Sequence, residues 1–261
     1  MGFALEKVSF RYPQKTVIRD LSLQLDAGRI YGILGPNGCG KTTLLDLLVR
    51  HRQPCRGRIR YAGRELAAFG QKDLARQVAL VPQNFYINFP FTARQVVMMG
   101  RYPHLPRFGA PSAGDRQMVR EIMQKTDTAI LAHRAVTELS GGERQRVVLA
   151  RALAQDARML ILDEAFSNMD VHHCMQMLNT VTRSTREKGT GVVAVFQDIN
   201  LAARYCDDLI FMRNGRIAAS GPRDQVLNPE ILQQVFQVQA KVFFEPFSQA
   251  SQVAFKPAER V

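Results

Sequence analysis

No run in this 261-residue chain approaches the roughly 18 consecutive apolar residues of a membrane-spanning helix, so a helical span is excluded. Cysteine is sparse. The four, at positions 39, 55, 174 and 206, form no C-x-x-C pair. That spacing argues against a disulfide framework or a thiolate zinc site and fits a reducing cytosol. No internal repeat, heptad array or low-complexity tract occurs, which excludes solenoids and coiled coils. Carboxylates are short: 23 Asp and Glu stand against 35 Lys and Arg, for a net charge of +12. Such an excess suits phosphate ligands, nucleic acid or an anionic membrane surface, and does not choose among them. The basic residues are dispersed. Their densest cluster, Arg50 to Arg60, lacks the interleaved aromatics of a single-strand binder, so no nucleic-acid partner is expected.

What is present is an alternation of short strands and helices. Ala4 to Phe10 and Val17 to Leu25 alternate as half-buried strands, and Ile30 to Leu34 is a short apolar run. Lys41 to Val49 reads as helix, and Gly57 to Tyr61 and Val78 to Val81 read as strands. From Thr92 to about Ala135 the pattern is mostly helical, interrupted by a Pro/Gly-rich loop at Tyr102 to Gly114; this reads as a helical insert. Met159 to Leu162 and Gly191 to Phe196 are buried strands on either side of a helix, Val171 to Lys188. Leu209 to Met212 and Arg216 to Ser220 form a hairpin through Asn214-Gly215. Pro222 to Gln237 reads as helix, and Gln249 to Val261 as a loosely held tail. Alternating elements imply an α/β core with a parallel sheet, whose ligands bind at the carboxyl ends of the strands.

Two segments read phosphate chemistry. Gly35-Pro36-Asn37-Gly38-Cys39-Gly40-Lys41-Thr42 fits the pattern G-x-x-x-x-G-K-[ST], followed by Thr43. Its glycines bare backbone N–H groups to phosphates, Lys41 adds a point charge, and the Thr42 hydroxyl suits Mg²⁺. Far downstream lies Leu139-Ser140-Gly141-Gly142-Glu143. Locally this is a capping box, Ser140 with Glu143, ahead of a helix from Arg144 to Ala154. Yet two glycines in a first helical turn are costly, and bare N–H groups at a helix start suit an anion. Asp163-Glu164 ends an apolar strand, where one carboxylate can hold Mg²⁺ and the other polarise a water. Gln83 follows Val81-Pro82 at another strand end, and its amide can ligate Mg²⁺. Tyr12, just past the first strand, offers an aromatic face to a base or simply packs on the sheet.

In this order, with Ser167-Asn168-Met169-Asp170 after the carboxylates, these segments resemble an ABC-type ATPase cassette. They look like its A-loop, Walker A, Q-loop, signature, Walker B and D-loop, and the resemblance covers essentially the whole chain. It implies an α/β P-loop NTPase fold with a RecA-like parallel-sheet core, an N-terminal antiparallel β subdomain and a helical subdomain at about 92–150. The ATPase domain would span 1–240, with a C-terminal extension at 241–261. The ligands implied are ATP and Mg²⁺, the metal held by Thr42, Gln83 and Asp163. Glu164 would be the general base, and Gln83 would couple nucleotide state to a permease. Two cassettes, expected as a homodimer, would pack head to tail, so that one signature closes over the ATP of the other. Ser167 and Asp170 belong to the D-loop. The further partners are an integral membrane permease and, indirectly, a substrate-binding protein, at the cytoplasmic face of the inner membrane.

A narrower likeness is to cassettes of iron-siderophore, haem and cobalamin importers. It is carried by Val96-Val97-Met98-Met99-Gly100-Arg101-Tyr102-Pro103-His104, by Asn200 to Asp207, and by the stretch from Pro229 to Val238. The chain departs from the family at two places. Gln197 stands where a histidine is usual, and an amide cannot carry a proton or a charge, though it can position a water. Ala165 stands where a proline is usual, which is expected to loosen the backbone after Glu164. Two readings follow from Gln197: slowed hydrolysis, or a nucleotide-gated switch that scarcely hydrolyses.

Overall fold

A computed structural model describes residues 1–167 and 169–256; Asn168, expected in the D-loop, and the tail residues 257–261 lie outside the described residues. The strands are β1 (Gly2–Tyr12), β2 (Lys15–Asp26), β3 (Ile30–Leu34), β4 (Arg56–Tyr61), β5 (Arg64–Glu65), β6 (Val78–Val81), β7 (Met159–Asp163), β8 (Gly191–Val195), β9 (Asp208–Arg213), β10 (Arg216–Pro222), β11 (Gln239–Glu245) and β12 (Ala250–Lys256). The helices are α1 (Lys41–Leu48), α2 (Gln71–Gln77), α3 (Ala93–Met99), α4 (Ala113–Lys125), α5 (Gly141–Ala154), α6 (Val171–Lys188), α7 (Ile199–Tyr205), α8 (Arg223–Val226) and α9 (Pro229–Phe236). They fall into two compact units: Met1–Ala68 with the chain from Val193 onward, and Phe69–Val192.

In the first unit, alternation along β1 buries Phe3, Leu5, Val8 and Phe10. The register slips between Leu5 and Val8, where Lys7 takes φ 47°. Strand order is β2-β1-β4-β5, with every pairing antiparallel. β3, buried along its whole length, runs parallel to β9, from Tyr31 opposite Asp208 to Leu34 opposite Phe211. β9 then turns through Asn214 (φ 51°) and Gly215 (φ 78°) into antiparallel β10. That is the two-residue hairpin an Asn-Gly pair predicts, and it makes the core sheet mixed.

Two expectations for the C-terminal part need correction. Pro222 to Gln237 is not one helix. It breaks after α8, and Asn228 starts a new one, its Oδ1 accepting from the Ile231 N–H at 3.0 Å with Pro229 in the first turn. Proline fits there because the missing N–H would have no helical partner. The tail is not loose across its described part either. β12 pairs with β11 from Ala250 opposite Glu245 to Lys256 opposite Gln239. Asn200 on α7 secures it: its Oδ1 accepts from the Val253 N–H at 2.7 Å, and its Nδ2 donates to the Val253 carbonyl at 3.4 Å.

In the second unit β6 and β7 run parallel, from Val78 opposite Met159 to Val81 opposite Leu162. Helices α3, α4 and α5 enclose a core that includes Val96, Val97, Val119, Met123, Val147 and Ala150. Backbone bonds tie the ends of the insert, Ala93 N–H to Arg134 O at 3.0 Å and Val136 N–H to Phe91 O at 2.9 Å. The importer-like stretch Val96 to His104 has structural work of its own. Arg101 pairs with Asp115 at 2.8 Å and donates to the Ala154 carbonyl at 2.8 Å, so it joins the end of α3 to α4 and α5. Among the described residues no helix is long and apolar enough to cross a membrane.

Candidate functional site

The first unit carries the expected phosphate loop between β3 and α1. Gly40 sits at the N-cap of α1 with φ 110°, where a Cβ would come within 2.8 Å of Ile18 Cδ1. Only glycine takes that backbone without strain. Lys41 is buried, and its ammonium is held by the loop's own carbonyls, donating to Gly35 O at 2.8 Å and Pro36 O at 3.1 Å. The loop therefore wraps its own cation. Asn37, Gly38 and Thr42 are exposed, while Cys39 and Thr43 are buried. Burial pushes the Cys39 thiol up, so it acts as an inert packing group.

Tyr12 ends β1 half-buried, edge-on to Phe10 at 5.1 Å. Arg52 lies over its ring, 4.7 Å from the centroid, and pairs with Asp46 of α1 at 3.2 Å. The sequence reading missed Arg52; it sits 40 positions from Tyr12 with no motif to mark it. Gln197 is exposed two residues after β8, and Asp198 beside it caps α7, accepting from the N–H groups of Asn200 and Leu201.

The second unit carries the expected carboxylates. Asp163 is the buried last residue of β7. Glu164 follows with φ 49°, a left-handed conformation that is costly for a side chain with a Cβ and clusters at functional sites. Gln83 Nε2 donates to Glu164 Oε2 at 2.7 Å, so the structure brings these two together. The expected loosening at Ala165 is countered. The Glu164 carbonyl accepts from the Ser167 N–H at 3.2 Å and from Ser167 Oγ at 2.9 Å, and Ala165 is buried. Asp170 caps α6, accepting from the His173 N–H at 2.9 Å and bonded to His173 Nδ1 at 2.7 Å, contacts that hold its carboxyl below the usual range.

The downstream segment forms the capping box in full. Ser140 Oγ accepts from the Glu143 N–H at 3.3 Å, and Glu143 accepts from the Ser140 N–H at 2.8 Å. Arg134 holds Glu143 from the other side at 3.0 Å. The Ser140 N–H, with Arg134 adding, keeps the Glu143 carboxyl low. Leu139 is buried as the anchor, Gly142 is half-buried, and Ser140 and Gly141 are exposed. A Cβ built on Gly141 meets nothing within 4 Å, so the chain's own packing does not require glycine there. Arg151, three turns along α5, stacks 4.3 Å over Phe85, two residues past Gln83, and donates to Leu80 O at 3.4 Å. That bridge had no sequence signal.

Among the described residues no group of three or more His, Cys, Asp or Glu is gathered to hold a metal. Of the residues expected to hold a metal, Thr42 in the first unit offers a hydroxyl, and Gln83 and Asp163 in the second offer an amide oxygen and a carboxylate. Donors of these types suit Mg²⁺, which keeps waters and takes few carboxylates beside phosphate oxygens.

A family model described as ABC transporter matches residues 18–167. A cobalamin import ATP-binding protein of Halobacterium salinarum is 40% identical over 241 residues, covering 92% of this chain and 60% of that protein. A hemin import ATP-binding protein of Bordetella parapertussis is 39% identical over 238 residues, covering 88% of this chain and 90% of that one. Among solved structures, a protein described as a metal-chelate type ABC transporter, in an inward-facing conformation, superposes with a TM-score of 0.83 at 26% identity, covering 99% of this chain and 98% of that chain. The chain thus spans less than two thirds of the Halobacterium relative and nearly all of the other two. The mixed sheet, the antiparallel β layer, the phosphate loop and the capped Ser140-Gly141-Gly142 segment are those of one fold, and the chain belongs to the ABC transporter family, as an ATP-binding cassette.

Proposed function

We propose that the chain is the ATP-hydrolysing subunit of an ABC importer that takes up a metal chelate through a membrane permease. Residues 1–240 would form the ATPase domain, with the helical subdomain at about 92–150 and an extension at 241–261. The loop from Gly35 to Thr43 binds the phosphates, Lys41 exchanging its carbonyl partners for phosphate oxygens. Tyr12 stacks on adenine. Mg²⁺, held by Thr42, Gln83 and Asp163, would supply charge neutralisation at the phosphates. Glu164 accepts a proton from the attacking water, and Gln197 orients that water through its amide. Leu139 to Glu143 of a second, identical cassette close the site, with Ser167 and Asp170 lining the same interface. A substrate-binding protein delivers the cargo on the far side of the membrane, and the cassette works at its cytoplasmic face.

The observation that carries this reading is the 2.7 Å bond from Gln83 to Glu164. The residue expected to sense the permease touches the residue expected to activate water, so displacement of one changes the other. The cobalamin and hemin relatives support the cargo class.

Cells lacking this gene test the cargo. Loss of uptake of cobalamin, haemin or a ferric hydroxamate is expected, and retention of all three overturns the metal-chelate reading. Single-turnover hydrolysis tests the chemistry. Gln197→His is expected to accelerate the step on the order of tenfold; an unchanged rate removes Gln197 from water positioning.

A further inference from the structure

Four arginines from four strands meet at one groove of the first unit. Arg11 lies near the end of β1, Arg19 on β2, Arg56 at the start of β4 and Arg216 at the start of β10. Pairing brings them together. Arg11 stands opposite Thr16 across β1 and β2, Arg56 stands opposite Ser9 across β1 and β4, and the Arg19 N–H donates at 2.8 Å to Gly215 O, next to Arg216. The groove they line encloses about 500 Å³.

All four side chains are exposed, and among the described residues none makes an ion pair or a side-chain hydrogen bond. The neighbouring arginines behave differently. Arg58 and Arg60 on the same β4 both pair with Glu6, and Arg60 also pairs with Glu65. A single carboxylate, Asp20, faces the four guanidinium groups. Like charges gathered across strands repel, and among the described residues that one carboxylate leaves most of the charge here uncompensated. A bound anion would offset it.

Guanidinium forks match phosphate oxygens two at a time, so four of them suit a ligand with more than one phosphate charge. The groove is open, and its volume is enough to accommodate a compact ligand. No residue from Gly35 to Thr43 lines the groove, although Gly215, beside Arg216, donates to the Cys39 carbonyl of the phosphate loop at 3.1 Å. We propose that this groove is a second anion site, one that binds a compact, multiply charged phosphate group. It stands whether or not the chain hydrolyses ATP. Soluble polyphosphate and a phosphorylated lipid headgroup offer the same chemistry.

Calorimetric titration of the full chain with inorganic tripolyphosphate tests the site. A Lys41→Ala background weakens the phosphate loop, and whatever that loop still binds is common to every variant. Adding Arg19→Gln with Arg56→Gln is expected to weaken the remaining binding at least tenfold. Adding Arg183→Gln with Arg186→Gln, exposed residues of α6 that remove the same charge elsewhere, is expected to change it less than twofold. Thermal unfolding of both variants checks that the fold is kept. Equal isotherms for the groove variant and its background overturn the proposal, and so does an equal loss in the α6 variant. Flotation with phosphatidylcholine vesicles, with and without phosphatidic acid, whose phosphomonoester ionises twice, identifies the source. Flotation that needs phosphatidic acid and is lost with Arg19→Gln and Arg56→Gln assigns a lipid headgroup; tripolyphosphate binding without flotation assigns a soluble anion. Neither response in the wild type overturns the site altogether.

Discussion

Tyr12 illustrates how a single residue acquires a role from one it does not neighbour in sequence. A half-buried aromatic at a strand end keeps some freedom to rotate, and an edge contact with Phe10 alone holds it loosely. Arg52, anchored by Asp46, lies over the ring and fixes its plane. A cation over an aromatic face at an exposed site contributes about 0.5–1 kcal/mol, or roughly two- to five-fold in an equilibrium constant. If Tyr12 stacks on adenine as proposed, Arg52→Ala should raise the KM for ATP by about that factor and leave kcat unchanged, because the ring would orient the base and not the reacting phosphate. Steady-state kinetics separate the two. A fall in kcat at unchanged KM would place Arg52 in the chemistry instead. Glu164 is the opposite case. Its position after an apolar strand is plain in the sequence, but its left-handed backbone is not, since that follows from the Ser167 bonds that close the turn.

Elements whose cause is local were legible: the alternation of β1, the apolar run of β3, the Asn214-Gly215 hairpin, the Ser140 cap. Those settled by distant partners were not. Asn200 capturing Val253 turns an apparently loose tail into a strand, and no nearby residue announces it. The α3–α4 connection is similar. Its Pro/Gly composition suggests loop, yet Arg101 and Asp115 meet across it with side chains only 10% and 12% exposed. Asp115 also closes a capping box with Ser112, whose Oγ donates to it at 2.6 Å. The Ser112 hydroxyl first, and Arg101 next, lower the Asp115 carboxyl to about 2. A depressed carboxyl stabilises the fold above its ordinary value of about 4 and loses that contribution as pH falls toward about 2. Asp115→Asn leaves a buried guanidinium without its counter-charge, which costs about 3–5 kcal/mol. Chemical unfolding at neutral pH should show that loss, and the acid limb of the stability curve between those two values should flatten. A loss well under 1 kcal/mol would mean that water already screens the pair.

At the scale of the whole molecule the question is what Gly141 is for. Within one chain the capping box explains Ser140 and Glu143 completely, and Leu139 is explained by burial. Gly141 is left over. It is exposed, it opens α5, its φ is not among the positive ones, and a methyl group there would touch nothing. If the segment were only a helix start, Gly141→Ala would be neutral or would stabilise the chain by up to about 1 kcal/mol, through lower entropy of the unfolded state. If a second cassette brings ATP against this backbone, the same methyl group occupies the space where phosphate must approach the N–H groups. The two roles then separate in one variant. Gly141→Ala should keep or raise the unfolding temperature and bind ATP as the wild type does, because the phosphate loop is untouched. Hydrolysis should fall by tenfold or more, on the order of a lost anion-stabilising donor. Mixing it with a Lys41→Ala chain should restore part of the activity, since that pair contains one site with both an intact phosphate loop and an intact facing segment. Full activity in Gly141→Ala alone would return the segment to a helix cap, and remove the strongest structural reason for expecting two cassettes per functional unit.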